Sequence, residues 1–88
     1  MATIYRPGNG EPELLLDVSL RSLQKVVGGY IETITLEPTG EVLVVNEEGK
    51  LIGLALNERA TWLLQFAGAA PHDCVVGPAV LCEPGELE

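Results

Sequence analysis

The sequence has little of what enzyme active sites are usually built from. Its 88 residues include one histidine, His72, and two cysteines, Cys74 and Cys82. Nucleophilic catalysis needs a nucleophile held beside a base, and we expect His72 to be an exposed loop residue instead. A zinc site normally takes four ligands in paired short spacings, which these three residues do not provide. We therefore predict no catalytic residues, no metal and no cofactor.

Glycine-rich phosphate loops are also missing. Such a loop lies between a strand and the start of a helix, but no helix is predicted after Gly8-Asn9-Gly10, and Gly28-Gly29 follows a predicted helix. The two cysteines favour free thiols in a reducing compartment. A disulfide between Cys74 and Cys82 is the alternative, and it requires a hairpin at Gly77-Pro78 that brings them opposite each other.

Long apolar runs and basic residues are scarce as well. No unbroken apolar run exceeds four residues, whereas a membrane helix needs about 20. The first residues also lack the apolar stretch of a signal peptide, so we expect a soluble, cytoplasmic protein.

Thirteen acids against five bases give a net charge of −8. Nucleic-acid binding depends largely on neutralising phosphates, so we expect neither direct nucleic-acid binding nor membrane binding. Solubility is the simplest role for the acids. Mimicry of a nucleic acid is the alternative, although the longest acidic run is only the pair Glu47-Glu48.

The length and composition of the chain predict one small domain at residues 1–86. The two residues that follow, Leu87-Glu88, match the remnant of an expression tag. Residues 3–6 and 13–16 are β-compatible, and Asn9-Gly10 between them is a turn signal. We predict a β-hairpin with a loop longer than two residues.

Two helices are predicted from capping residues and apolar spacing. Ser19 can cap a helix that ends at Gly28, in which every third or fourth residue from Leu20 is apolar. Asn57 can cap a second helix, Glu58 to about Phe66. Its apolar stripe consists of Ala60, Leu63, Leu64 and Ala67.

The remaining segments predict strands. Residues 30–36 are rich in β-branched side chains, and residues 42–45 are apolar throughout, as in a strand covered on both sides. Residues 50–54 are predicted as a short strand, and residues 74–82 as one strand or two short ones. The predicted fold class is α+β, with one mostly antiparallel sheet in the order β-β-α-β-β-β-α-β and two helices packed on it.

The aromatic residues Trp62 and Phe66 lie beside the apolar stripe of the second helix. Because they are four residues apart, they share one side of that helix. Two interpretations stay open: the whole apolar surface belongs to the core, or one edge is an interface. The interface would most simply be a homodimer contact.

Two segments carry a family resemblance. They are Val26-Val27-Gly28-Gly29-Tyr30-Ile31-Glu32 and Asn46-Glu47-Glu48-Gly49-Lys50-Leu51, followed by Gly53-Leu54 and Asn57. With these residues the chain resembles a family of short proteins classed as a domain of unknown function, common in phages, plasmids and bacterial genomes. The resemblance covers roughly residues 20–64, and the loop 69–73 and the cysteine pair depart from it. It implies no activity and no catalytic residues.

The shared residues are mostly of types that suit caps and turns. The functional alternative is a polar pocket formed by Tyr30, Asn46, Asn57 and Arg59. Taken together, the sequence favours a non-enzymatic binding or interaction module, with a homo-oligomer or another protein as partner. A mobile-element accessory role fits the resemblance. The alternative function is a small-ligand module with a nucleotide-like ligand in a pocket between subunits.

Overall fold

The computed structural model describes residues 1–8, 10–70 and 73–87. The predictions that concern Asn9 and His72 lie outside these residues.

The chain begins with the predicted hairpin. Strand β1 (Ala2–Tyr5) pairs antiparallel with β2 (Glu13–Leu15), with Ala2 opposite Leu15 and Ile4 opposite Glu13. The connecting loop is longer than two residues, as expected.

Helix α1 (Leu20–Val27) begins and ends at the predicted caps. The Ser19 side chain accepts a hydrogen bond from the Ser22 amide at 3.2 Å, which satisfies one of the free first-turn donors. Gly28 ends the helix with φ of 83°, a left-handed conformation that side chains rarely adopt.

Strands β3 (Ile31–Leu36) and β4 (Glu41–Asn46) form a second antiparallel pair. The last four residues of β4 are all buried, because the strand is covered on both faces, as its apolar run predicted.

The predicted strand at residues 50–54 is wrong, because this segment forms turns. The Ile52 amide donates to the Glu48 carbonyl and the Leu54 amide to the Gly49 carbonyl, both at 3.0 Å, so these donors are used locally. Gly53 has φ of 74°, which a regular strand does not allow. A single antiparallel bridge, Leu56 with Val76, follows this segment.

Helix α2 (Glu58–Phe66) follows, capped as predicted by Asn57, whose side-chain oxygen accepts from the Ala60 amide at 3.1 Å. The final segment forms two short pieces, the bridge at Val76 and strand β5 (Ala79–Cys82).

The five strands form one sheet in the order β2-β1-β5-β4-β3, and all neighbouring strands are antiparallel. The α+β fold class is therefore confirmed. The two helices lie on opposite faces, which we call the α1 face and the α2 face. Among the described residues, no helix is long and apolar enough to cross a membrane.

The core is accordingly divided into two apolar clusters, one on each face. The cluster on the α1 face contains Ala2, Ile4, Leu23, Val27, Val44, Val80 and Cys82, and Leu87 packs against it. The cluster on the α2 face contains Leu36, Leu43, Val45, Ala60, Leu64, Val75 and Ala79. Successive residues of β4 alternate between the clusters, as strand geometry requires.

Candidate functional site

The outer side of α2 carries an exposed aromatic pair. Trp62 and Phe66 stack with ring centroids 5.0 Å apart and an interplanar angle of 16°. Their exposed fractions are 62% and 79%, whereas Ala60 and Leu64 on the inner side of the helix are buried. The interpretation that the whole apolar surface of α2 is core is therefore wrong for this pair. The alternative, an interface, stays a prediction.

Two of the four residues predicted to form a polar pocket share a groove. Tyr30 and Asn46 lie together in a groove of about 330 Å³, beside Gly28 and Gly29. Asn57 and Arg59 lie at the start of α2 and do not line this groove.

The two predicted asparagines already use their polar atoms within the chain. Asn46 donates from Nδ2 to the Val27 carbonyl at 3.0 Å and accepts from the Glu48 amide at 2.8 Å. Asn57 is fully buried, and its Nδ2 donates to the Tyr5 carbonyl at 2.7 Å and to the Gly77 carbonyl at 2.8 Å. Both side chains therefore serve first as internal connectors.

The two segments that carry the family resemblance meet in space. The Glu47 amide donates to the Tyr30 carbonyl at 2.9 Å. The side chain of Asn46 ties the end of β4 to the last turn of α1. A Cβ atom on Gly29 would lie 3.1 Å from Asn46 Nδ2, so a glycine lets the chain pass close to this side chain. These shared residues thus fix the junction of α1, β3 and β4.

A second groove, which we call the β3–α2 groove, has a volume of about 270 Å³. Buried residues of the α2-face cluster form its floor, among them Val45, Leu64 and Val75. Glu32 and Glu47 are exposed at its rim, where Lys50 is the basic residue among those that the structure describes. The groove is thus apolar inside, with more acidic than basic side chains around it.

A third groove, which we call the β3–α1 groove, lies on the other face of the same strand. It has a volume of about 290 Å³ and lies between Ile31 and Thr33 of β3 and the first half of α1. Val18, Leu23 and Leu87 make most of its wall apolar. Sequence reasoning missed both grooves, because each depends on which strand lies at the edge of the sheet.

The cysteines differ in environment, and both are free thiols. Cys74 is half-buried and lines the β3–α2 groove. Cys82 is fully buried, and its burial, followed by the charge of Glu86, raises the pKa of its thiol from 9.0 to about 11. A thiol with that pKa is protonated at neutral pH and a poor nucleophile.

Other side chains that could act as nucleophiles or metal ligands are used in structural hydrogen bonds or lie apart from one another. The Ser22 hydroxyl donates to Asp17 at 2.8 Å within the cap of α1, so this serine–aspartate contact has a structural role. Within residues 1–8, 10–70 and 73–87, no three or more histidine, cysteine, aspartate or glutamate residues form a group that could hold a metal ion.

Comparison with known protein families identifies the family of the chain. No curated protein and no solved structure matches the chain. A family model does match, and it extends over residues 1–88, including the loop 69–73 and the cysteine pair, which departed from the resemblance. The chain therefore belongs to the family described as Domain of unknown function (DUF3846).

Proposed function

We propose that the chain is a non-enzymatic interaction module that self-associates through the outer side of α2. The observation that carries this proposal is the stacked Trp62–Phe66 pair. It is exposed to solvent on a helix whose inner side is already buried in the core. Large aromatic side chains are enriched at the centres of protein interfaces, where burial gives them their greatest effect.

The charge distribution favours a second copy of the chain as the partner. The whole chain has a net charge of −8, yet no acidic residue occurs between Glu58 and Asp73. Within α2 the single acid, Glu58, is offset by Arg59. Two copies that meet along α2 therefore bring little charge of the same sign together at the contact.

The expected dimer is weak. A buried aromatic side chain removes about 150–250 Å² from water, so four rings contribute about 600–1,000 Å² at most. Stable interfaces bury about 1,200–2,000 Å², so flanking residues must supply the rest. We expect a dissociation constant in the micromolar range.

The non-enzymatic part of the proposal is supported by the protonated state of the Cys82 thiol and by the use of Ser22 in a helix cap. The nucleotide-like alternative has less support, because Lys50 is the one basic residue among the described residues that line the three grooves. A role as an accessory protein of a mobile element is part of the proposal and rests on the resemblance alone.

Sedimentation equilibrium over a range of protein concentrations tests self-association. Trp62 is the only tryptophan, so its fluorescence should shift to shorter wavelength as the dimer forms. The double variant W62A/F66A should be monomeric, whereas Leu20→Ala, which removes an exposed apolar side chain from α1, should dimerise like the wild type. A wild type that stays monomeric at millimolar concentration, or a dimer that survives in the double variant, would overturn the proposal.

A further inference from the structure

The sheet has two outer strands, β2 and β3, and only one of them is protected. Strand β2 has three residues, follows Pro12, and carries Glu13, which accepts from Arg6 Nε at 2.6 Å. Short length, proline and charge are common means of preventing strand pairing at an edge. Strand β3 has six residues, four of them β-branched, and contains neither proline nor lysine.

The free backbone groups of β3 can be assigned from its pairing. The hydrogen bond from the Glu47 amide to the Tyr30 carbonyl continues the register in which Ile31 lies opposite Asn46. In an antiparallel pair, hydrogen-bonded and non-hydrogen-bonded positions alternate. The backbone groups of every second residue therefore point at β4: Glu32, Ile34 and Leu36. Those of the alternate residues point outward: Ile31, Thr33 and Thr35.

A groove flanks this open edge on each face of the sheet. Glu32 and Ile34 are lining residues of the β3–α2 groove, and Ile31 and Thr33 are lining residues of the β3–α1 groove. A strand added to the edge would place its side chains alternately on the two faces, and hence alternately beside the two grooves. Strand-adding domains obtain affinity from the backbone ladder and specificity from such side-chain pockets.

We propose that the β3 edge binds an extended basic peptide by strand addition, with apolar and basic side chains in alternation. The apolar side chains lie against the β3–α1 groove. The lysine or arginine side chains lay their stems over the apolar floor of the β3–α2 groove and bring their charges to Glu32 and Glu47.

Charge selects this occupant over a second copy of the chain. The rim of the β3–α2 groove is acidic and the chain has a net charge of −8, so a basic peptide is attracted as it approaches. Two copies joined edge to edge would instead bring two strongly negative molecules together. This surface is separate from the Trp62–Phe66 pair, and the proposal stands independently of self-association through α2.

The probe is a labelled peptide of alternating lysine and valine residues, as long as β3 and blocked at both ends. Fluorescence anisotropy should show binding that weakens as salt is added. Amide hydrogen exchange followed by NMR should show new protection at Ile31, Thr33 and Thr35. The amides of Glu32 and Ile34, which already face β4, should change little.

Two controls separate strand addition from simple charge attraction. The same peptide with alternate backbone amides methylated keeps its charge but loses one edge of donors, and should not bind. Glu32→Lys should weaken binding about tenfold or more, since it removes a charge-assisted contact. Glu11→Lys makes the same change of net charge in the hairpin loop and should have a much smaller effect.

Three results would overturn the proposal. The methylated peptide could bind as well as the unmethylated one. The two charge variants could lose affinity equally. The three outward amides could become protected by raising the protein concentration alone, which would identify a second copy as the occupant. Each readout differs from the Trp62 fluorescence and the double variant, so failure here is distinguishable from failure of the α2 dimer.

Discussion

Helices α1 and α2 pack on opposite faces of one sheet, but they present different outer sides to solvent. Helix α1 buries Leu23 and Val27 and exposes the charged residues Arg21 and Lys25. Helix α2 buries Ala60 and Leu64 but exposes two large aromatic rings: Trp62 and Phe66.

The difference shows which apolar residues the fold itself requires. A helix that covers a sheet needs one apolar stripe, and both helices have it. The second apolar surface of α2 adds nothing to the core that the structure shows, and it exposes aromatic area to water. Because such area is normally buried in monomers, we infer that α1 completes the fold and α2 also offers a contact surface.

The largest expected effects come from the inner sides of the helices. Leu23 is 1% exposed and Leu64 is 9% exposed at the wall of the β3–α2 groove. We expect Leu23→Ala to lower the free energy of unfolding by about 3–5 kcal/mol, and Leu64→Ala by about 2–3 kcal/mol, since the more deeply buried side chain leaves the more completely closed cavity. Urea denaturation measures both. A larger loss at Leu64 would show that the α2 face is the tighter half of the core.

The next effects concern the caps that begin the two helices. Ser19→Ala should cost about 1 kcal/mol, the usual loss for an N-cap. Asn57→Ala should cost about 2–3 kcal/mol, because it also leaves the carbonyls of Tyr5 and Gly77 without their donor. Asn57→Ser separates the two roles, since serine retains a capping oxygen but cannot reach both carbonyls. If Asn57→Ser behaves like the wild type in urea denaturation, the cap alone matters.

The caps were predictable because their signals are local. Ser19, Gly28 and Asn57 act on amides or backbone angles within three residues, so residue type and position suffice. The apolar run in β4 likewise predicted a strand covered on both faces.

Other features depend on contacts between distant parts of the chain. Residues 50–54 have a strand-like composition, but Leu54 packs against Gly77, where a Cβ atom would lie 2.5 Å from Leu54 Cδ1. The partner of Asn46 is the Val27 carbonyl, 19 residues away. Helical spacing placed Trp62 beside the apolar stripe, but its exposure depends on how α2 lies across the sheet.

The smallest expected effects concern the two thiols, one on the α1 face and one on the α2 face of the sheet. Cys82 is enclosed in the α1-face cluster, and Cys74 lines the β3–α2 groove. An alkylating reagent should therefore modify Cys74 in the native protein and reach Cys82 only when the chain opens. Mass spectrometry of the digested protein measures the two rates, and equal rates would show that the α1 face opens as readily as the groove.

The pH dependence of stability follows from the same thiol. Since the pKa of Cys82 is raised from 9.0 to about 11 in the folded chain, the folded state prefers the protonated form. This contribution of Cys82 to the free energy of unfolding is fully present below pH 9. It is lost as the pH rises from 9 towards 11, because in this range the thiol ionises in the unfolded chain before it does in the folded chain. Cys82→Ala should remove this dependence and Cys74→Ala should leave it, as urea midpoints across that range would show. A dependence that persists in Cys82→Ala would assign the alkaline loss of stability to another group.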